Sequence, residues 1–190
     1  MKKVMSLLLV MAVSAGAFAQ SSWKSDKAHS QLKFDVQHLG LSTVSGSFTD
    51  FEASVSASKA DFSDGVFTLT AQVGSINTGI EQRDNHLKSP DFFDAATHGT
   101  LTFKSTSVKS LGENKYSVTG DLTLHGVTKP VTLDLWYRGT IENPMSKKPT
   151  AGFRVTGSIK RTDFGIGAKF PAQMLSDDVA IFADGEFVKQ

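Results

Sequence analysis

The stretch Glu81-Gln-Arg-Asp-Asn-His-Leu-Lys-Ser-Pro-Asp-Phe-Phe-Asp94 concentrates the groups most able to do chemistry. Arg83, Asp84, His86, Lys88, Asp91 and Asp94 lie beside Phe92 and Phe93. A guanidinium such as that of Arg83 can fork onto a phosphate or carboxylate. Its other role would be an ion pair with Asp91 or Asp94 that braces the local structure. His86 is a second polar contact for a ligand head. Phe92 and Phe93 would either cap a cavity mouth or pin their turn to the core.

Stronger catalytic signatures are missing from the chain. No GxSxG is present. Asp84 and His86 are too close in sequence for an obvious triad. Asp91 with Asp94, and Asp177 with Asp178, read as solvated loop charge. The five histidines show neither HxxxH nor HxH spacing, and His29 and His38 are nine apart. On one regular strand those two would face opposite sides, so no metal site is expected. There is no phosphate loop or dinucleotide fingerprint, and no cysteine. The reading is therefore no catalytic residue, no cofactor and no metal.

The island interrupts a β-rich pattern that must position it. Leu32, Phe34, Val36 and His38 share one strand face, with Lys33, Asp35 and Gln37 on the other. Val44, Gly46 and Phe48 alternate, then Phe51, Ala53, Val55 and Ala57 continue on the opposite parity, which predicts a bulge or bend near Thr49-Asp50. Alternation recurs through Phe67–Val73, Leu101–Phe103, Tyr116–Leu124, Val131–Tyr137, Phe153–Ile159 and Val179–Phe187. Lys59–Gly65, Leu111–Asn114 and His125-Gly126 read as turns, and Arg161–Ser176 as irregular. At the island, Thr78-Gly-Ile-Glu81 matches a capping box. Ile80, Arg83, Asp84 and Leu87 would share a face of a short helix that Pro90 closes.

About eight strands joined mostly by tight turns favour an antiparallel barrel or sandwich. Long strands with small residues (Gly46, Ala71, Gly120, Gly157, Gly185) on the apolar parity favour a barrel with an elongated apolar cavity. The fold expected is all-β, an eight-stranded antiparallel barrel with one short helix. Fourteen Phe against two Tyr and two Trp suit a dry interior, because Phe needs no hydrogen-bond partner. A ligand tail would lie among Phe34, Phe48, Phe67, Leu69 and Phe103, although alternation leaves open which parity faces inward.

Residues 1–19 have the form of a secretory signal peptide: Lys2 and Lys3, an apolar run from Val4 to Val13, and Ala17-Phe18-Ala19 as the cleavage site. The expected mature domain is 20–190, in the periplasm. Without Lys2 and Lys3 the net charge of +1 becomes −1. That balance indicates neither nucleic acid nor an anionic membrane surface as partner. No further segment is long and apolar enough to span a membrane, so an integral membrane protein is not expected.

The chain resembles the YceI-like family of lipid- or polyisoprenoid-binding proteins from Trp23 to about Val188. The resemblance rests on Asp26-Lys-Ala-His29-Ser30 with Phe34, Val36 and His38, and on Gly46-Ser-Phe48. It continues through Arg83-Asp84-x-His86-Leu87-x-Ser89-x-x-Phe92-Phe93-Asp94 and Thr102-Phe103-Lys104-Ser105. Gly120-Asp-Leu-Thr-Leu-His125-Gly126-Val127-Thr128-Lys129-Pro130-Val131 and Asp163-Phe164-Gly165 complete it. One departure is His98-Gly99, where the family usually shows an aromatic or other residue followed by Pro. The resemblance implies a lipocalin-like barrel with a long apolar channel, secreted or periplasmic, that binds amphiphiles with long tails. Some members are dimers, so a homodimer is an expectation here. It implies no catalytic residue.

The resulting expectation is a periplasmic binding or carrier protein for a polyisoprenoid (an isoprenoid quinone or prenyl phosphate) or a fatty-acyl lipid. The head would sit at Arg83 and His86, near Phe92 and Phe93. The alternative is a stress-related enzyme acting on an amphiphile at the Arg83/His86 island.

Overall fold

A computed structural model describes residues 20–190, so the expected signal peptide lies outside the described residues. Ten strands are present: β1 (Ser21–His38), β2 (Ser42–Phe48), β3 (Phe51–Ala57), β4 (Val66–Gln72), β5 (Ile76–Asn77), β6 (Thr100–Gly112), β7 (Lys115–Leu124), β8 (Val127–Glu142), β9 (Pro149–Lys160) and β10 (Leu175–Lys189). The single α-helix described, α1, spans Glu81–Leu87. All pairings are antiparallel, in the order β10-β9-β8-β7-β6-β4-β3-β1, and β1 pairs back onto β10. That last pairing closes the barrel, while β5 pairs with β2 as a short added strand. The barrel has eight staves because β2 and β3 run in succession along β1. β2 pairs with Leu32–His38 and β3 with Ser21–Lys24. The break falls at Thr49-Asp50, where the phase slip predicts a bend.

Strand alternation places the apolar parity inward. In β7, Tyr116, Val118, Leu122 and Leu124 are buried while Lys115 and Asp121 are exposed. In β6, Leu101, Phe103 and Ser105 are buried. Pleating alone dictates this once one face is dry. The inward glycines do not leave empty space as expected. A methyl on Gly46 would overlap the Phe34 ring, and one on Gly120 the Phe103 ring. The missing side chains let those rings lie flat across the wall, so they set its shape rather than hollow it.

The barrel has two distinct ends. At the base, the β3–β4 turn drives Phe62 inward with a left-handed φ of 59°. Asp64 holds this turn by accepting the amides of Ser58 (3.0 Å) and Lys59 (3.1 Å). Phe62 packs edge-on against Trp23, Tyr137 and Phe153, with ring centroids 5.4, 5.0 and 5.0 Å away. The opposite end, the top, carries α1, the turns of residues 88–99, the β7–β8 hairpin turn and the loop from Arg161 to Met174.

The capping box expected at Thr78–Glu81 does not form. Ile80 is the N-cap and no side chain caps the helix. Gly79 turns the chain at φ 79°, so the first helical turn starts after Thr78 has left the axis. Thr78 instead donates its amide (2.8 Å) and hydroxyl (2.6 Å) to the Asp84 carboxylate, a stronger acceptor than a neutral carbonyl. The helix ends at Leu87, three residues before Pro90, as predicted.

Candidate functional site

Between the aromatic base and the top lies a cavity of about 480 Å3. That is within the range of roughly 300–1,000 Å3 typical of small-molecule sites. At about 3.3 Å per residue and a tilt near 40°, the twelve residues of β9 give a barrel wall about 30 Å high. The wall is carbon: Leu32 and Phe34 from β1, Leu69 from β4, Phe103 from β6, Leu122 from β7 and Val155 from β9. One polar wall atom stands out. Ser30 Oγ is buried with no hydrogen-bond partner among the described residues, and Ser30 lines the cavity. Such an atom costs about 1–3 kcal/mol unless water or a ligand meets it.

All nine residues singled out in sequence line this one cavity. Phe34, Phe48, Phe67, Leu69 and Phe103 belong to the wall; Arg83, His86, Phe92 and Phe93 belong to the top. Phe93 meets Phe48 edge-on at 5.9 Å, and Phe48 meets Phe34 at 5.9 Å, so the lid aromatics continue into the wall. Phe92 is buried and stacks on Phe170 at 5.0 Å. The half-exposed His86 ring stands edge-on to Phe92 at 5.0 Å.

Arg83 makes neither ion pair considered for it. Its Nε–H donates to the Thr78 hydroxyl at 2.7 Å and an Nη2–H to the Thr78 carbonyl at 2.8 Å. With Thr78 also bonded to Asp84, these contacts brace α1 against the strand end before it. Three of the five guanidinium N–H groups have no acceptor among the described residues. Asp91 is engaged elsewhere: Lys169 Nζ lies 2.6 Å from it. That hydrogen bond and the ammonium charge hold the Asp91 carboxyl below its ordinary range. His86 Nε2 is 3.9 Å from the other oxygen of Asp91.

Sequence reading missed Arg161. It is 3% exposed and lines the cavity. All five of its N–H groups donate to backbone carbonyls: Ser176 (3.0 Å), Ile166 (3.0 Å), Gly167 (2.6 Å), Phe170 (2.6 Å) and Leu175 (2.9 Å). The irregular run after β9 and the start of β10 thus satisfy five carbonyls on one side chain. The available signal was a lone Arg at a strand end opening a Gly-rich irregular run. Nearby, the amide and hydroxyl of Thr162 hydrogen-bond Asp177 and keep that carboxyl below its ordinary range.

A closed eight-stranded antiparallel barrel around one lidded, carbon-lined cavity defines a lipocalin-like fold. The model of the YceI-like domain matches residues 23–187, and the chain belongs to the YceI-like family. It is 42% identical over 166 residues to a UPF0312 protein of Staphylococcus aureus (strain N315), covering 85% of this chain and 94% of the relative. Among solved structures it is similar to BcnA of Burkholderia cenocepacia, with a TM-score of 0.76 and 27% identity over 86% of this chain and 98% of that one. The YCEI protein of Campylobacter jejuni superposes with a TM-score of 0.74 and 31% identity, covering 81% and 90% of the two chains. A polyisoprenoid binding domain from Saccharophagus degradans shares the fold at 19% identity and a TM-score of 0.63, over 90% of this chain and 100% of that one.

Proposed function

We propose that this protein binds and carries a long-chain amphiphile, a polyisoprenoid or similar lipid, in the periplasm. The observation that carries the reading is the cavity itself, closed at one end by aromatic rings and at the other by a helix presenting Arg83 and His86. An alkyl or prenyl tail suits a wall that is mostly hydrocarbon. Burying a few hundred Å2 of tail at about 25 cal/mol per Å2 offers several kcal/mol before association costs. The head group would meet the free N–H groups of Arg83 and the exposed edge of His86. A head with phosphate or carboxylate oxygens fits these donors best. Family membership and the likeness to a polyisoprenoid binding domain support the tail chemistry. The leader-like residues 1–19 support the compartment.

Carriage rather than turnover is favoured by the roles already taken at the island. Asp84 is held by Thr78, and Asp91 by Lys169. The direct test is solvent extraction of protein purified without detergent, followed by mass spectrometry. Recovery of a long-chain amphiphile, retained less by Arg83→Ala, is the expected result. Empty protein that also fails to take up added prenyl phosphates, quinones or fatty acids would defeat the proposal.

A further inference from the structure

We propose that Asp94, His98 and His125 form a binding site for a zinc-class divalent metal ion at the top of the barrel. The three come from separate places: the turn after Phe93, the residues just before β6, and the β7–β8 hairpin turn. Each offers one ligand atom, and these atoms lie within 4.8 Å of one another. Tetrahedral zinc, with bonds near 2.0–2.1 Å, brings its ligand atoms to about 3.3 Å. Small side-chain rotations therefore complete the set.

Four further observations favour a metal over an incidental cluster. His125 Nδ1 is 3.0 Å from the carbonyl oxygen of Phe164. A carbonyl only accepts, so Nδ1 carries a proton, and in the neutral ring Nε2 keeps the lone pair that a metal needs. This is the outer-shell arrangement that orients metal-ligating histidines. Second, His98 packs against Gly126, where a methyl group would overlap its ring. The same His98 ring stands edge-on to His125 at 5.0 Å. Third, the Asp94 carbonyl accepts the amides of Thr97 (3.0 Å) and His98 (2.8 Å), fixing His98 close to Asp94 in the chain. Fourth, neither the Asp94 carboxylate nor the His98 ring has a hydrogen-bond or ion-pair partner among the described residues, and all three residues are partly buried. Two imidazoles and one carboxylate suit zinc, with a fourth position left for water. The ion would tie the turn carrying Phe92 and Phe93 to the β7–β8 hairpin, which is independent of any lipid in the cavity.

The test titrates zinc chloride calorimetrically into purified, EDTA-stripped protein that carries no polyhistidine tag, with thermal melts alongside. One saturable site and a zinc-dependent rise in Tm are expected. Asp94→Asn keeps the side-chain shape and tolerates the left-handed φ of 45° at this position. His98→Ala and Asp94→Asn should each weaken binding at least about tenfold and abolish the Tm shift. His29→Ala, at the exposed histidine of the Asp26–His29–Glu186 group, should change neither. The proposal fails if wild-type protein shows no saturable binding, if binding survives Asp94→Asn, or if it disappears with His29→Ala. Should His98→Ala not fold, Asp94→Asn decides alone.

Discussion

At the base of the barrel, Phe62 sits among Trp23, Tyr137 and Phe153 with 2% of its surface exposed. At the top, α1 has seven residues and none of them is buried. The base is closed by apolar area, which is non-directional and not screened by salt. The top adds directed polar contacts to its Phe92–Phe170 stack: Arg83 and Asp84 with Thr78, Lys169 with Asp91, and Arg161 with five carbonyls. Contacts of the second kind break one at a time and respond to pH. Segments with few buried apolar contacts open at lowest cost. On the proposed function, this contrast makes the top the expected gate and the base the floor.

The largest expected effect is at the floor. Phe62→Ala should destabilise the whole protein by about 3–5 kcal/mol, the usual cost of deleting a buried aromatic. Denaturant unfolding measures it. A cost near 1 kcal/mol would mean that the base collapses to fill the gap and is not a rigid plug.

Arg161→Ala comes next, at about 3 kcal/mol, because five carbonyls lose their donor at once. Its loss should be local. Hydrogen exchange should accelerate across residues 161–176 while the β7–β8 core stays protected. Uniform acceleration would erase the distinction between the two ends.

Arg83→Ala should cost about 1 kcal/mol or less, since the side chain is only partly buried and makes two hydrogen bonds. Ligand retention should fall further than stability does. If both fall in proportion, Arg83 is a brace and nothing more.

The smallest effects are those of pH, and their sign differs between the carboxylates and the buried phenol of Tyr116. Lys169 holds the Asp91 carboxyl below its ordinary value, as Thr162 holds that of Asp177. Their contribution is therefore complete above the unfolded carboxylate pKa of about 3.9 and is lost as pH falls below it. At the base, burial pushes the Tyr116 hydroxyl up while it donates to the Asp61 carbonyl at 2.6 Å. That contribution is complete below pH about 10 and is lost as pH rises past it. Asp61, in the base turn, is likewise held low by the Ser63 amide, so hydrogen exchange should loosen the top and this turn in acid, and the Tyr116 contact in alkali. Unchanged exchange around Tyr116 in alkali would contradict its assignment.

Much of this was legible in the chain. Period-two alternation marked the long strands, a phase slip marked the bend at Thr49-Asp50, and Pro90 marked the end of α1. The wall and lid residues were legible because each is a large ring or aliphatic on the apolar parity or inside the charged island. The helix start was misread because Thr78–Glu81 has the spacing of a capping box, yet Gly79 turns the chain before the helix begins. The partner of Arg83 was misread because a nearby carboxylate is the obvious choice, and Lys169, seventy-eight positions from Asp91, had already taken it.

The amino-acid sequence by itself determined the strands, their apolar faces and the charged helix that interrupts them, since those signals repeat within a few residues. Only the tertiary structure decided that the apolar parity faces inward, because that requires Ser30 to pair with Gly185 and the sheet to close on itself. It alone decided that Arg161 serves five carbonyls, and that His98 and His125 stand 5.0 Å apart. These are contacts between segments whose separation along the chain leaves no periodic trace. Local pattern encodes which face is dry, and chain closure encodes what that face surrounds.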